Sequence, residues 1–292
     1  MLIYGKVREI DKSEKIMSLV YNGNLEYFHL TNKSMKDFKG YLLKKPYVFF
    51  VVKDEYEIHK NIKCRIVDYF VKILSTGIKK NTVYYDLHEI QNGVRKIINK
   101  PQNRMFLDLE FTMSSKKSYA VLEIIQYGFI LEDADGNVIT QGSSLIRPMC
   151  AGALNKRTLE FLSREQSDFD DACGYIEFYQ LMDKLITEYN PKILAWGQND
   201  RLSLEKSFKL NHLPPLDIRN RYINLMQVMK NYYNYKQEMG LFNTYYEMSN
   251  KDATIQIHDA LEDACFEREI FHMFKKEINT RHYVINENNS NN

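Results

Sequence analysis

Met105-Phe106-Leu107-Asp108-Leu109-Glu110-Phe111-Thr112 sets two acids into an otherwise apolar run of strand length. Side chains at i and i+2 leave a strand on the same face, so Asp108 and Glu110 project together with their carboxylates several ångströms apart. Such like charges repel, and in a central strand water cannot relieve them cheaply. A hard divalent cation with oxygen ligands neutralises them most directly. The competing reading is an edge strand whose acids face solvent. It fits poorly, because Met105, Phe106 and Leu107 lead into the acids and the nearby stretch 124–130 is largely apolar, which implies a buried sheet.

Downstream of this strand the spacing predicts strands over 120–131 and 138–146 around a turn at 133–137, then a long amphipathic helix over 168–188. Pro191 precedes a short buried strand over 193–196, and helices are expected over 201–209, 224–232, 241–248 and 260–276. Three adjacent strands followed by helices interleaved with further strands describe an α/β domain with a mixed sheet, over 104–285. The polar stretch 286–292 reads as a disordered tail.

Two more segments carry isolated chemistry. Asp200 follows the strand through Gly197-Gln198-Asn199, where the next helix begins; strand ends and helix starts are where α/β sheets place ligands. Taken alone it would be a helix cap. His258-Asp259-Ala260-Leu261-Glu262-Asp263-Ala264 puts His258 in the loop entering the last helix and Asp263 in its first turns. Ala260 and Ala264 would permit close approach of helix to sheet. Asp259 and Glu262 read as solvent-facing charges at a helix amino terminus, where negative charge is favourable.

In this order and spacing, Asp108-Leu109-Glu110, Asp200 after an apolar strand, and His258 with Asp263 in an HxAxxD arrangement resemble the three motifs of the DEDDh 3′-to-5′ exonucleases, the DnaQ-like superfamily. The resemblance covers about residues 104–276, including 122–128, Arg147-Pro148 and Gly240-Leu241. It implies a ribonuclease H-like mixed-sheet exonuclease domain in which Asp108, Glu110, Asp200 and Asp263 hold two Mg²⁺ or Mn²⁺ ions, with Asp108 bridging them and His258 as general base. The implied substrate is single-stranded RNA or DNA with a free 3′ end, released as nucleoside 5′-monophosphates. Phe111 separates Glu110 from Thr112, whereas proofreading members have the threonine directly after the glutamate; this form is more similar to the ERI-like and KapD-like branch, which tilts the expectation toward RNA. A histidine in the last motif, rather than a tyrosine, excludes the sister DEDDy branch. Thr112, with Leu109 or Phe111, is expected near the terminal nucleotide.

The front of the chain differs in pattern and charge. Residues 3–10, 16–21, 25–30, 47–53 and 63–71 read as short strands separated by turn formers, with a helix over 34–43 between the third and fourth. That is a small OB-like β-barrel over 1–72, faintly similar to cold-shock domains, followed by a linker over 73–103 with a helix over 84–99. Residues 1–104 hold 20 Lys and Arg against 11 Asp and Glu, while the remainder holds 20 against 27. A positive barrel carrying aromatics suits single-strand binding, and Tyr27, Phe28, His29 and Lys33 are the candidate contacts. The four cysteines are scattered without a CxxC pair and read as reduced packing residues. No apolar run approaches the ~20 residues of a membrane span and the start lacks a signal pattern, so no membrane partner and a cytoplasmic location are expected. Two other readings compete. One is an HD-type phosphohydrolase built on His258-Asp259, which leaves Asp108 and Glu110 unexplained; the other is an inactive nucleic-acid-binding adaptor on an exonuclease fold.

Overall fold

Asn22 and Gly23, both at positive φ, make the tight turn expected between the second and third strands, and the pairing Tyr21↔Asn24 closes it. The structure is a computed structural model that describes all residues except 77–81, 114–121, 236, 252–257 and 290–292; from 281 it describes the backbone alone. The chain divides into two units, Met1–Val94 with Asn231–Lys236, and Arg95–Lys230 with Gln237–Asn292.

The first unit is built on β1 (Leu2–Asp11), β2 (Ile16–Tyr21), β3 (Asn24–His29), α1 (Asn32–Leu42), β4 (Tyr47–His59) and β5 (Ile62–Leu74). The sheet runs β3-β2-β1-β4-β5, and β3 also pairs in parallel with β5, which closes a five-stranded barrel of the OB-like kind expected. Its interior is filled by Ile3, Val7, Leu19, Phe28, Phe50, Val67 and Phe70, supplied by alternate positions. The stretch expected as a linker is more structured than foreseen. It contains the end of β5, then β6 (Val83–Asp86) paired with β5, then α2 (Leu87–Asn99), and the boundary between the units falls inside that helix. Lys33 Nζ donates to the Tyr235 carbonyl and Gln91 Nε2 to that of Tyr232, tying 231–236 into this unit.

The second unit holds β7 (Arg104–Phe111), β8 (Ile124–Glu132), β9 (Val138–Leu145), α3 (Lys156–Leu162), α4 (Tyr175–Tyr189), β10 (Lys192–Ala195), α5 (Asn199–Leu210), β11 (Tyr222–Asn224), α6 (Leu225–Tyr233), which runs into the first unit, α7 (Leu241–Ser249) and α8 (Ala260–Asn289). The sheet order is β11-β10-β7-β8-β9; β10 lies parallel to both β7 and β11, and β7, β8 and β9 are antiparallel, giving the mixed sheet expected. The expected strand start at 120–121 lies outside the described residues, and β8 begins at Ile124. The helix expected from residue 168 begins at Tyr175, because a 3-10 turn (Gln166–Phe169) precedes it and Gly174 sits at its cap. α8 continues past the expected stop at 276, so the first part of the tail, 286–289, is helical, while 290–292 lie outside the described residues. No described helix is long and apolar enough to cross a membrane.

α8 lies on one face of β7 and β8 and is anchored there by a buried ionic knot. Glu132, on β8, is fully buried and accepts from Arg268 Nε (2.9 Å) and Arg104 Nη1 (3.4 Å), with His272 Nε2 at 2.7 Å. Burial pushes Glu132 up, but His272 and Arg268 outweigh it and hold the carboxyl below its ordinary range.

Candidate active site

The alternation along β7 sorts its side chains to two sides. Met105, Leu107 and Leu109 join a core with Phe178, Met182 and Leu185 of α4, while Phe106 meets Phe271 of α8 at 5.6 Å. Asp108 and Glu110 share the parity of Phe106 and therefore lie on the α8 side, as the spacing requires. The start of α8 comes against them because Gly128, the β8 residue paired with Asp108, has no side chain: a methyl group there would lie 2.2 Å from the Ala260 carbonyl carbon and the Leu261 nitrogen. Ala260 and Ala264 are fully buried in that contact, as their size suggested. Asp259 is not the free solvent charge expected. Its Oδ1 accepts from the Leu261 and Glu262 amides at 3.1 and 3.2 Å, capping the helix, and its Oδ2 accepts from Gln126 Nε2 at 2.9 Å. Glu262 is exposed, as expected.

Three segments remote in sequence, β7, α5 and the start of α8, thus bring their acids within mutual influence. Asp108, Glu110, His258 and Asp263 line a cleft of about 420 Å³ together with Thr112, Met113, Arg157 and Phe161. One ligating atom from each of Glu110, His258 and Asp263 lies within 4.8 Å of the others, and His258 Nδ1 is 3.9 Å from Glu110 Oε1. Asp200 is buried in the first turn of α5, not at its cap, and the Leu109 backbone is a hydrogen-bond partner of its carboxyl. Burial is the chief cause that lifts every member. Asp108 is held well above the carboxylate range, reinforced by Asp200, Glu267, Asp263 and Glu110. Glu110 is pushed up to about 8, with Asp263 and Asp200 adding repulsion. Asp200 and Asp263 rise to about 7, the latter also under the charges of Glu262, Asp259 and Asp200. These mutual effects are what four carboxyls converging on one small volume produce.

A fifth acid was missed by the sequence reading. Glu267 is fully buried one helical turn after Asp263, accepts from the Trp196 amide at 2.7 Å, and has the Leu107 backbone as a further partner. It therefore ties α8 to the middle of β7, the strand that carries Asp108 and Glu110, and to the end of β10, from which the chain runs on to Asp200. Its i+4 spacing from Asp263 was the available signal. Burial and Asp200 hold it well above the ordinary range. Asp263 Oδ1 and Glu267 Oε2 are buried and have no hydrogen-bond partner among the described residues. Unsatisfied carboxyl oxygens in a set made only of hard oxygen donors and one imidazole fit divalent ions of the Mg²⁺ or Mn²⁺ type.

His258 stacks on Phe161 of α3, with ring centroids 4.1 Å apart and planes 22° from parallel, a contact that no sequence signal announced. Burial holds its pKa below 6.5. Of the expected substrate contacts, Leu109 and Phe111 line the cleft, with Leu109 also part of the core. Thr112 lines it too, but its hydroxyl accepts from the Glu123 amide at 2.9 Å. In the barrel, Phe28 is not a surface platform: it is fully buried edge-on to Phe50 at 4.9 Å, because its strand position points into the barrel. His29 is bound to Glu57 and Lys33 to Tyr235, while Tyr27 is half-buried. Cys64 is buried, Cys150 exposed, and Cys173 and Cys265 lie between; all are free thiols.

No protein-family model matches the chain. A search of curated proteins finds the probable 3′-5′ exonuclease KapD of Bacillus subtilis (strain 168), 28% identical over 176 residues, which is 59% of this chain and 84% of that protein. Among solved structures, the nuclease domain of 3′hExo, a DEDDh family member solved bound to rAMP, superposes with a TM-score of 0.54 at 18% identity over 60% of this chain and 93% of its own. Cell-death related nuclease 4 (CRN-4) gives a TM-score of 0.51 at 20% identity over 62% of this chain and 66% of its own. The second unit has the fold of these nucleases, as its motifs implied.

Proposed function

From a chain homologous to KapD whose second unit has the DEDDh nuclease fold, we infer a metal-dependent 3′-to-5′ exonuclease that removes nucleoside 5′-monophosphates from single-stranded nucleic acid, RNA in preference to DNA. The observation that carries the reading is the convergence of Asp108, Glu110 and Asp263 with His258 on one cleft, with the buried Asp200 of α5 close enough for its charge to act on all three acids.

Asp108, Glu110, Asp200 and Asp263 would hold two divalent ions. Such ions supply charge neutralisation at the scissile phosphate and activation of water. The chain's own residues do the rest. His258, kept neutral near pH 7 by burial, accepts a proton from the attacking water, and Phe161 fixes the ring plane from which it does so. Arg157, on the rim, offers a cation to the incoming phosphate. Phe111 presents apolar surface to the terminal nucleoside, Leu109 backs the cleft wall from the core, and Thr112, locked to Glu123, holds the strand end that carries them. The positive barrel gathers the strand; the fully buried Phe28 takes no part, and surface aromatics such as Tyr4, near Lys6 and Arg8, are the better platform. A cytoplasmic setting completes the proposal.

The test is incubation of 3′-labelled single-stranded RNA and DNA with the purified chain and Mg²⁺, with and without chelator. Stepwise mononucleotide release that stops on chelation is the expected result. Binding without any release would identify an inactive nucleic-acid adaptor instead.

A further inference from the structure

We propose that His29, Glu57 and His59, on the barrel and remote in sequence from the nuclease motifs, form a binding site for one first-row transition ion of the Zn²⁺ class. His29 ends β3, and Glu57 and His59 lie on the outer arm of β4, at i and i+2 and hence on one face. The arm is set by a two-residue turn in which Lys60 and Asn61 both have positive φ, so the pairings Glu57↔Cys64 and His59↔Ile62 fix its register.

Both imidazoles address a single carboxylate oxygen. His29 Nδ1 stands 2.7 Å and His59 Nε2 2.9 Å from Glu57 Oε2, and the two rings face each other with centroids 4.0 Å apart. Two nitrogens and one oxygen, each from a different side chain, therefore lie within 4.8 Å of one another. Tetrahedral Zn²⁺ with bonds of ~2.0–2.1 Å needs donors about 3.3 Å apart, so the two nitrogen-to-carboxylate separations of 2.7 and 2.9 Å have only to open by about half an ångström. Imidazole ligates metal in its neutral form through either ring nitrogen. The side chains are 18%, 43% and 25% exposed, which leaves the ion a route in and a remaining coordination position for water.

The donor chemistry separates this site from the cleft. Two imidazoles and one carboxylate select Zn²⁺, Co²⁺ or Ni²⁺, whereas the all-carboxylate set suits Mg²⁺ or Mn²⁺. A bound ion would pin the end of β3 to the β4–β5 arm and so stabilise the barrel. The proposal stands independently of the nuclease reading.

The experiment uses the untagged, intact 292-residue chain, stripped with chelator and titrated with Zn²⁺ by calorimetry in a large excess of Mg²⁺, with a parallel melt. One equivalent of Zn²⁺ and a Zn²⁺-dependent rise in Tm are expected in the wild type and in Asp108→Asn/Asp263→Asn. Affinity should fall at least about tenfold in His29→Gln or His59→Gln, which keep a hydrogen-bond partner for Glu57, and the Tm rise should vanish in the double variant. Equal uptake by that double variant, or no uptake by the wild type, would overturn the proposal.

Discussion

Replacing Gly128 with alanine tests whether the close approach of α8 to the sheet sets the catalytic geometry. Gly128 does not occupy the positive-φ region, so the new residue meets no backbone strain, only the α8 start. Its methyl group would sit 2.2 Å from the Ala260 carbonyl carbon, and ordinary contact begins at 3.4 Å, so the helix entry must retreat by about 1.2 Å. His258 immediately precedes that entry and Asp263 lies one turn inside it. A misplacement of about 1 Å can cost about 10²-fold in rate, and overpacking of this kind costs about 1–3 kcal/mol, or a few degrees of Tm. The assay is single-turnover release from a 3′-labelled oligonucleotide well below the variant's Tm. Gly142→Ala is the control: its methyl group presses on the edge of the Phe129 ring at 3.0 Å, which overpacks the same sheet without touching α8. If Gly128→Ala cleaves at the wild-type rate, the claim that this glycine positions His258 and Asp263 is wrong.

Three further outcomes follow from the same geometry. His258→Ala should lower kcat by about 10²–10⁴-fold while Mn²⁺ binding, followed by calorimetry, is largely retained; unchanged turnover would remove His258 from the mechanism. Without divalent ions, Glu110 titrates near 8 and Asp200 and Asp263 near 7, all above their unfolded values, so the folded chain holds protons that the unfolded chain has released. Stability should therefore fall as pH rises from about 5 to about 8, and Mg²⁺ should raise Tm more at pH 8 than at pH 5; a flat metal-free Tm across that window would contradict the crowding of these acids. Glu267→Gln keeps an oxygen for the Trp196 amide but removes a buried acid, so its metal-free Tm at pH 8 should exceed that of the wild type; a lower Tm would mean that Glu267 is needed as an anion.

The strand that carries Asp108 and Glu110 was legible because two-residue periodicity leaves little freedom: apolar neighbours force the acids to one face, and a short list of elements can cover it. The barrel was legible for a similar reason, through short strands broken by turn formers such as Asn22-Gly23. Boundaries were less so. α3 was missed because seven residues with two basic side chains show no distinct apolar face, and α4 begins late because Gln166–Phe169 take a tighter turn that spacing alone does not separate from helix. Phe28 was misjudged because neighbouring aromatic and polar positions in a short strand do not say which face is inward until the barrel closes. Phe161 gains meaning only once α3 is brought against the sheet, which no local pattern encodes, while Glu267 left only its i+4 spacing from Asp263 as a sign.

The order in which the chain visits its two units limits how they can be taken apart. It builds the barrel, leaves for the nuclease sheet, comes back at Asn231–Lys236, and then departs again to make α7 and α8. One scission anywhere along the backbone cannot yield both parts whole. A truncation that discards residues 1–94 orphans the returning segment, removing Gln91 and Lys33, which donate to the carbonyls of Tyr232 and Tyr235. Experiments that seek to assign duties to the halves are therefore better made by point substitutions in the intact polypeptide than by shortening it.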